Sequence, residues 1–121
     1  MSWIVDIDLI KPWLDNQDLA TIACIEDAIG ELERKGPQLG RPLVDHIKGS
    51  RVHNMKELRP ASPGRSELRI LFAFDPTRRA IMLFAGDKSS GKGDRDTWSG
   101  WYKTAIPRAE ELYFEHMGKG E

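Results

Sequence analysis

The stretch that decides the fold runs from residue 67 to residue 85: Glu67-Leu68-Arg69-Ile70-Leu71-Phe72-Ala73-Phe74, then Asp75-Pro76-Thr77-Arg78-Arg79, then Ala80-Ile81-Met82-Leu83-Phe84-Ala85. In the first part Leu68, Ile70, Phe72 and Phe74 share one face, and Arg69, Leu71 and Ala73 share the other. That period of two is the signature of a strand. The middle part is turn chemistry, because proline pre-sets φ and aspartate bonds its own backbone two residues on. The last part is apolar throughout, as in a central strand covered on both faces. So short a connection implies antiparallel pairing.

Upstream, His53 to Arg59 reads as a short, polar third strand, and residues 36–51, with their Gly and Pro, read as an irregular connection. A helix is expected over 16–35, where Leu19, Ile22, Ile25, Ile29 and Leu32 recur at three- and four-residue steps. Asp15 or Asn16 would cap its start, and Gly36-Pro37 would stop it. At the N-terminus Trp3, Val5, Ile7 and Leu9 alternate with polar positions that include Asp6 and Asp8, predicting a half-buried strand. Downstream, a glycine-rich loop over 87–95 leads to an apolar stripe of Trp98, Trp101, Tyr102, Ala105, Ala109, Leu112, Tyr113 and His116. Pro107 disfavours helical geometry at Ile106, so two helices are expected, 97–105 and 107–117. The prediction is one α+β domain over residues 1–121: a small, mainly antiparallel twisted sheet of about four strands, packed against an N-terminal helix and C-terminal helices.

Composition narrows the function. With 40% hydrophobic and 31% charged residues, the 121-residue chain can bury one core. No apolar run approaches a membrane span and no signal peptide is expected. One cysteine, Cys24, excludes an internal disulfide framework. A cytoplasmic protein without membrane contact is the expectation. The net charge of −1 conceals segregation: residues 1–35 hold 3 Lys/Arg and 8 Asp/Glu, residues 36–95 hold 12 and 6, and residues 96–121 hold 3 and 5. An anionic partner would therefore meet the middle of the chain.

Gly86-Asp87-Lys88-Ser89-Ser90-Gly91-Lys92 matches the G-x-x-x-x-G-K frame of a phosphate-binding loop. Gly93 replaces the Ser or Thr that would hold magnesium, and the parallel sheet the motif needs is missing, so nucleotide binding is not expected. His46, His53 and His116 show no ligand spacing, so no metal site and no cofactor are predicted. The basic residues say more. Lys56, Arg59, Arg65, Arg69, Lys88, Lys92 and Arg95 fall on the strands or the loops beside them. Arg69 interrupts an apolar strand opposite Leu68, Ile70 and Phe72. Either it needs a buried partner, which Glu67 could supply, or it faces an open basic surface where it can pair with a phosphate. Lys88 can reach the same surface, and Trp98 and Tyr102 offer faces for a base to stack on.

Four segments together carry a resemblance. Ser66 to Pro76, Met55-Lys56-Glu57-Leu58-Arg59, Ala80 to Ser89, and the C-terminal Trp98-x-x-Trp101-Tyr102 with Ile106-Pro107-x-Ala109-x-x-x-Tyr113-x-x-His116 stand in order over about residues 3–117. They resemble the RelE/ParE superfamily of toxins, and within it the HigB-type, phage-derived subgroup. The resemblance implies a RelE-like fold and the toxin of a type II toxin–antitoxin system. Such a toxin is a ribosome-dependent endoribonuclease acting on messenger RNA, neutralised by a helix-turn-helix antitoxin. In that chemistry the RNA 2′-hydroxyl is the nucleophile, so no metal is required; the enzyme deprotonates it, stabilises charge on phosphorus and protonates the leaving oxygen.

Carried onto this sequence, Arg69 matches the strand arginine on the scissile phosphate, Lys88 the basic residue after the last strand, and Tyr102 the C-terminal tyrosine. The family's strand lysines are absent: Met55 and Glu57 stand in their places, and Lys56 faces the other way. Glu57 or His53 is then the candidate base. Lys56, Arg59, Arg65, Lys92, Arg95 and Trp98 are candidates for holding RNA. Two alternatives are a ParE-like poison of topoisomerase and a phage-derived binding module that keeps the fold without the activity.

Overall fold

The computed structural model describes residues 2–61, 67–88 and 97–119. The hairpin forms where the sequence placed it. Leu68–Phe74 (β4) and Arg79–Asp87 (β5) pair antiparallel, from Leu68 opposite Asp87 to Phe74 opposite Ala80, with one irregularity at Leu71/Phe72. In the turn Asp75 Oδ1 accepts from the Thr77 and Arg79 amides at 2.9 and 3.1 Å and from the Thr77 hydroxyl at 2.7 Å. Lys56–Leu58 (β3) pairs antiparallel on the far side of β4.

The sheet has five strands, not four. The additional one, Val44–His46 (β2), pairs antiparallel with β3 inside the segment expected to be irregular. Three residues are too few to display alternation, and only the partner β3 makes them a strand. The N-terminal strand is shorter than predicted. Ile4–Asp6 (β1) lies parallel to β5, then the chain turns through a 3-10 segment, Asp8–Ile10, into a short helix, Lys11–Asp15 (α1). Asp6 causes the turn by accepting the Asp8 amide at 2.9 Å, and Leu9, expected to be buried, ends 43% exposed. The order across the sheet is β1-β5-β4-β3-β2, which makes β4 and β5 interior strands.

The long N-terminal helix is Leu19–Lys35 (α2), starting later than expected. Its cap is Asp18, whose carboxylate accepts the Thr21 amide at 2.8 Å, while Asp15 closes α1 instead. Leu19 is consequently 85% exposed, and the inward stripe is Thr21, Ile25, Ala28 and Leu32. Gly36 ends the helix at φ +57°, where a Cβ would lie 2.2 Å from the Trp3 indole nitrogen. At the other end of the chain one helix, Thr97–Lys119 (α3), replaces the two predicted. Ala105 and Ala109, on either side of Pro107, are both fully buried, so packing holds the helix continuous. Pro107 and Lys103, four residues before it, are on the exposed side, where water can take the carbonyl that proline leaves without a donor.

Each sheet face carries its own core. Leu58, Leu68, Ile70, Phe72, Ala80 and Met82 pack against Ile25, Ala28 and Leu32 of α2. Met55, Leu71, Ala73, Ile81 and Leu83 pack against Ala105 and Ala109 of α3. Ile70 thus faces α2 as the alternation predicts, and Arg69 lies on the α3 side. No helix of the described residues is long and apolar enough to cross a membrane.

Candidate active site at the end of the sheet

The α3 face is apolar over Leu71 and Ala73 and becomes charged at Arg69. What brings α3 close there is Gly86, the residue opposite Arg69 on β5. A Cβ on Gly86 would sit 2.6 Å from Nε1 of Trp101, so only glycine lets that indole onto the sheet. Tyr102, next along the helix and edge-on to Trp101 at 5.0 Å, is thereby delivered over β3.

Glu57 is at the centre. It is 4% exposed, and its Oε1 accepts the Tyr102 hydroxyl at 2.7 Å. The same oxygen lies 3.2 Å from Arg69 Nε and 3.5 Å from Arg59 Nε. Both arginine Nε atoms are buried, and neither makes a well-directed hydrogen bond. Their remaining contacts hold them in place. Arg69 Nη1 donates to the Leu68 carbonyl at 2.7 Å and Nη2 lies 3.5 Å from Glu67. Arg59 Nη2 pairs with Asp45 of β2 at 3.1 Å. The Lys88 ammonium is 3.6 Å from Glu67 and 5.9 Å from the centre of the Tyr102 ring. Burial, and after it the nearby Arg69, pulls the Lys88 pKa below the ordinary lysine value. Burial and then the Glu57 carboxylate push the Tyr102 phenol well above its ordinary value, so it stays protonated.

Five sequence candidates are therefore brought together: Glu57, Arg59, Arg69, Lys88 and Tyr102. The site is less open than an uncovered basic face, since Arg69's side chain is 13% exposed and engages Glu57 as well as Glu67. His53 is exposed in the turn before β3, four residues from Glu57, and no described contact joins it to the cluster. Lys56 points to the α2 face, where its ammonium donates to the Pro37 carbonyl at 3.3 Å and lies 5.5 Å from the Phe74 ring centre; burial lowers its pKa. It does not join the RNA-facing set assigned to it from sequence. Arg65, Lys92, Arg95 and the Trp98 side chain lie outside the described residues. Asp45 escaped the sequence reading because β2 did; only the pairing of Asp45 with Glu57 places it beside Arg59.

A cleft of about 370 Å³ lies elsewhere, along α2 between Cys24, Asp27, Glu31, Arg34 and Leu43. Carboxylates of Glu26, Asp27 and Glu31 line it beside Arg34, while Arg59, Arg69 and Lys88 stand at the sheet end. Among the described residues no cluster of three or more His, Cys, Asp or Glu is placed to hold a metal ion.

Fold and site define a small α+β protein with an arginine–lysine–tyrosine cluster where the central hairpin meets the C-terminal helix. The family model for the phage-derived protein Gp49-like family (DUF891) matches residues 12–114, and the chain belongs to that family. It is 49% identical over 121 residues to the Mycobacterium tuberculosis (strain ATCC 25618 / H37Rv) protein named "Putative toxin HigB2", all of this chain aligning with 57% of that protein's length. It is 42% identical over 120 residues to "Putative toxin HigB3" of the same organism, covering 95% of this chain and 97% of that one. The chain thus spans just over half of the first relative and nearly all of the second. These relatives bear out the HigB-type resemblance of the sequence motifs. No solved structure gives a significant match.

Proposed function

We propose that this chain is the toxin of a type II toxin–antitoxin module, and that it cuts messenger RNA at the ribosome by attack of the 2′-hydroxyl on the adjacent phosphate. One observation carries the reading: Arg69, Lys88 and Tyr102, on three different elements, converge at one end of the sheet. The 2′-oxygen bonds to phosphorus, the bond to the 5′-oxygen breaks, and the products are a 2′,3′-cyclic phosphate and a 5′-hydroxyl. Arg69, planar and always charged, stabilises the charge that grows on the phosphoryl oxygens. Lys88, its pKa lowered, gives the leaving 5′-oxygen its proton. Tyr102 orients the ribose or stacks on a base. Arg59 holds a neighbouring phosphate. Of the two candidate bases only Glu57 sits among these groups, and it takes the proton of the 2′-hydroxyl.

The names of the two relatives support the toxin part of the reading. A toxin of this kind requires a cognate antitoxin, and the helix-turn-helix class is the expected one. The deciding experiment is single-turnover cleavage of a defined message on programmed ribosomes, beside naked RNA. Cleavage by the parent and none by Arg69→Ala supports the nuclease. A folded parent that arrests growth without cutting RNA moves the topoisomerase-poison reading ahead. The ion pairs on Arg69 favour a second reading, a binding module in which the cluster is structural; a folded parent that neither cuts RNA nor arrests growth would establish it.

A further inference from the structure

The arrangement around Glu57 is unusual in one respect. A buried N–H without a well-placed acceptor is rare in native proteins and calls for an explanation. Here there are two, Arg59 Nε and Arg69 Nε, and both lie beside the same atom, Glu57 Oε1, at 3.5 and 3.2 Å. The Tyr102 hydroxyl is the third donor on that oxygen, at 2.7 Å, and its geometry is good. The two guanidinium groups are anchored independently of Glu57, one through Asp45, the other through Glu67 and the Leu68 carbonyl. They would stay in place if the carboxylate left.

From this geometry we infer that the Glu57 carboxylate occupies an anion subsite built by Arg59, Arg69 and Tyr102, and that a phosphate of the ligand takes its place. A phosphate offers oxygens in several directions and can accept from both Nε–H groups at once, which a single carboxylate oxygen at 3.2 and 3.5 Å does not. Glu57 gives the two guanidinium groups a counter-charge and Tyr102 an acceptor; when the phosphate binds it turns aside. The inference rests on the nuclease reading for the identity of the ligand, not for the existence of the subsite. As a counter-ion Glu57 competes with the ligand's phosphate, which a base alone does not; turned aside, its carboxylate stays free to take the 2′-hydroxyl proton.

Glu57→Gln keeps the shape and an acceptor for Tyr102 but removes the charge. Titrated with inorganic phosphate by NMR, this variant should bind about tenfold more tightly than the parent, and adding Arg59→Ala should cancel the gain. Equal or weaker binding by a folded Glu57→Gln overturns the inference. Should the variant not fold, the parent alone decides: the Arg59 and Arg69 Nε–H resonances shift together on adding phosphate, and resonances that stay fixed at saturation overturn it. Failure of the nuclease reading is separable. A parent that cuts no RNA, yet binds phosphate more tightly as Glu57→Gln, loses the reaction and keeps the subsite. A parent that cuts RNA, with Glu57→Gln unchanged in phosphate affinity, loses the subsite and keeps the reaction.

Discussion

The two faces of the sheet are built from the same three central strands, β3, β4 and β5, and end differently. On the α2 side the β4 row continues from Phe72 through Ile70 to Leu68, all apolar and buried. On the α3 side the row Ala73, Leu71 gives way to Arg69 and, on the neighbouring strand, Met55 gives way to Glu57. Along β4 one face is apolar throughout; the other is apolar in its first half and charged in its second. Strand alternation makes this possible, because a charged side chain substituted on one face leaves the opposite core untouched. The comparison predicts that substitutions on the two faces separate into losses of stability and losses of activity.

The largest effect should come from the α2 face. Phe72 is fully buried and meets Phe74 edge-on at 5.7 Å. Phe72→Ala should lower unfolding free energy by about 3–5 kcal/mol, measured by urea denaturation. A loss under about 1 kcal/mol would mean that this face is not the close-packed core described. On the α3 face, Arg69→Ala should cost on the order of 3–4 kcal/mol in the cleavage barrier, about 10²–10³ in rate. Its circular dichroism should remain that of the parent. Ribosome binding should fall much less, because other basic residues share it. If Arg69→Ala unfolds the protein instead, the charged half of the face is structural, and the division between the faces fails.

A second carboxylate on the α3 face sharpens the contrast. Glu110 of α3 is buried like Glu57, but its partners are well directed: the Arg51 amide, the Ser50 hydroxyl at 2.8 Å and Arg51 Nε at 3.1 Å. Burial raises its pKa, but those three donors outweigh burial and hold it below the ordinary glutamate range. A carboxylate with a depressed folded pKa contributes stability above its unfolded pKa, and that contribution is lost as pH falls through the folded value. Stability should therefore drop on the acid side of the glutamate range. Glu110→Gln should flatten that part of the profile, and Glu110→Ala should cost about 1–3 kcal/mol at neutral pH. Cleavage should be unaffected by Glu110→Gln at temperatures where the variant is folded.

The hairpin and its facing were legible because β4 is long enough for alternation to show and β5 is an apolar run set off by a turn. So was the stop at Gly36. Where elements are short or their limits depend on partners, the sequence misled. β2 exists through its pairing with β3, α3 crosses Pro107 because Ala105 and Ala109 are buried together, and β1 ends where Asp6 turns the chain. Of the site, the residue types at Arg69, Lys88, Tyr102 and Glu57 could be picked out, but not their mutual engagement. Nothing in the spacing of Glu57 and Tyr102, 45 positions apart, announces a hydrogen bond. Lys56 illustrates the converse: its charge suggested RNA, and its strand parity sent it to the other face.

The smallest expected effect tests the edge of the α2 face. Periodicity put Leu19 in the inward stripe, but capping by Asp18 sets the first turn so that Leu19 is 85% exposed. A helix start obeys its cap before its apolar pattern, since the cap satisfies a backbone donor while one exposed leucine costs little. Leu19→Lys should then change stability by no more than about 0.5 kcal/mol. Asp18→Ala, one residue earlier and fully polar, should cost about 1 kcal/mol by freeing the Thr21 amide. The order matters more than the sizes. If Leu19→Lys proves more damaging than Asp18→Ala in the same urea titration, the apolar stripe governs the helix start, and the core of the α2 face extends a turn further than its buried residues indicate.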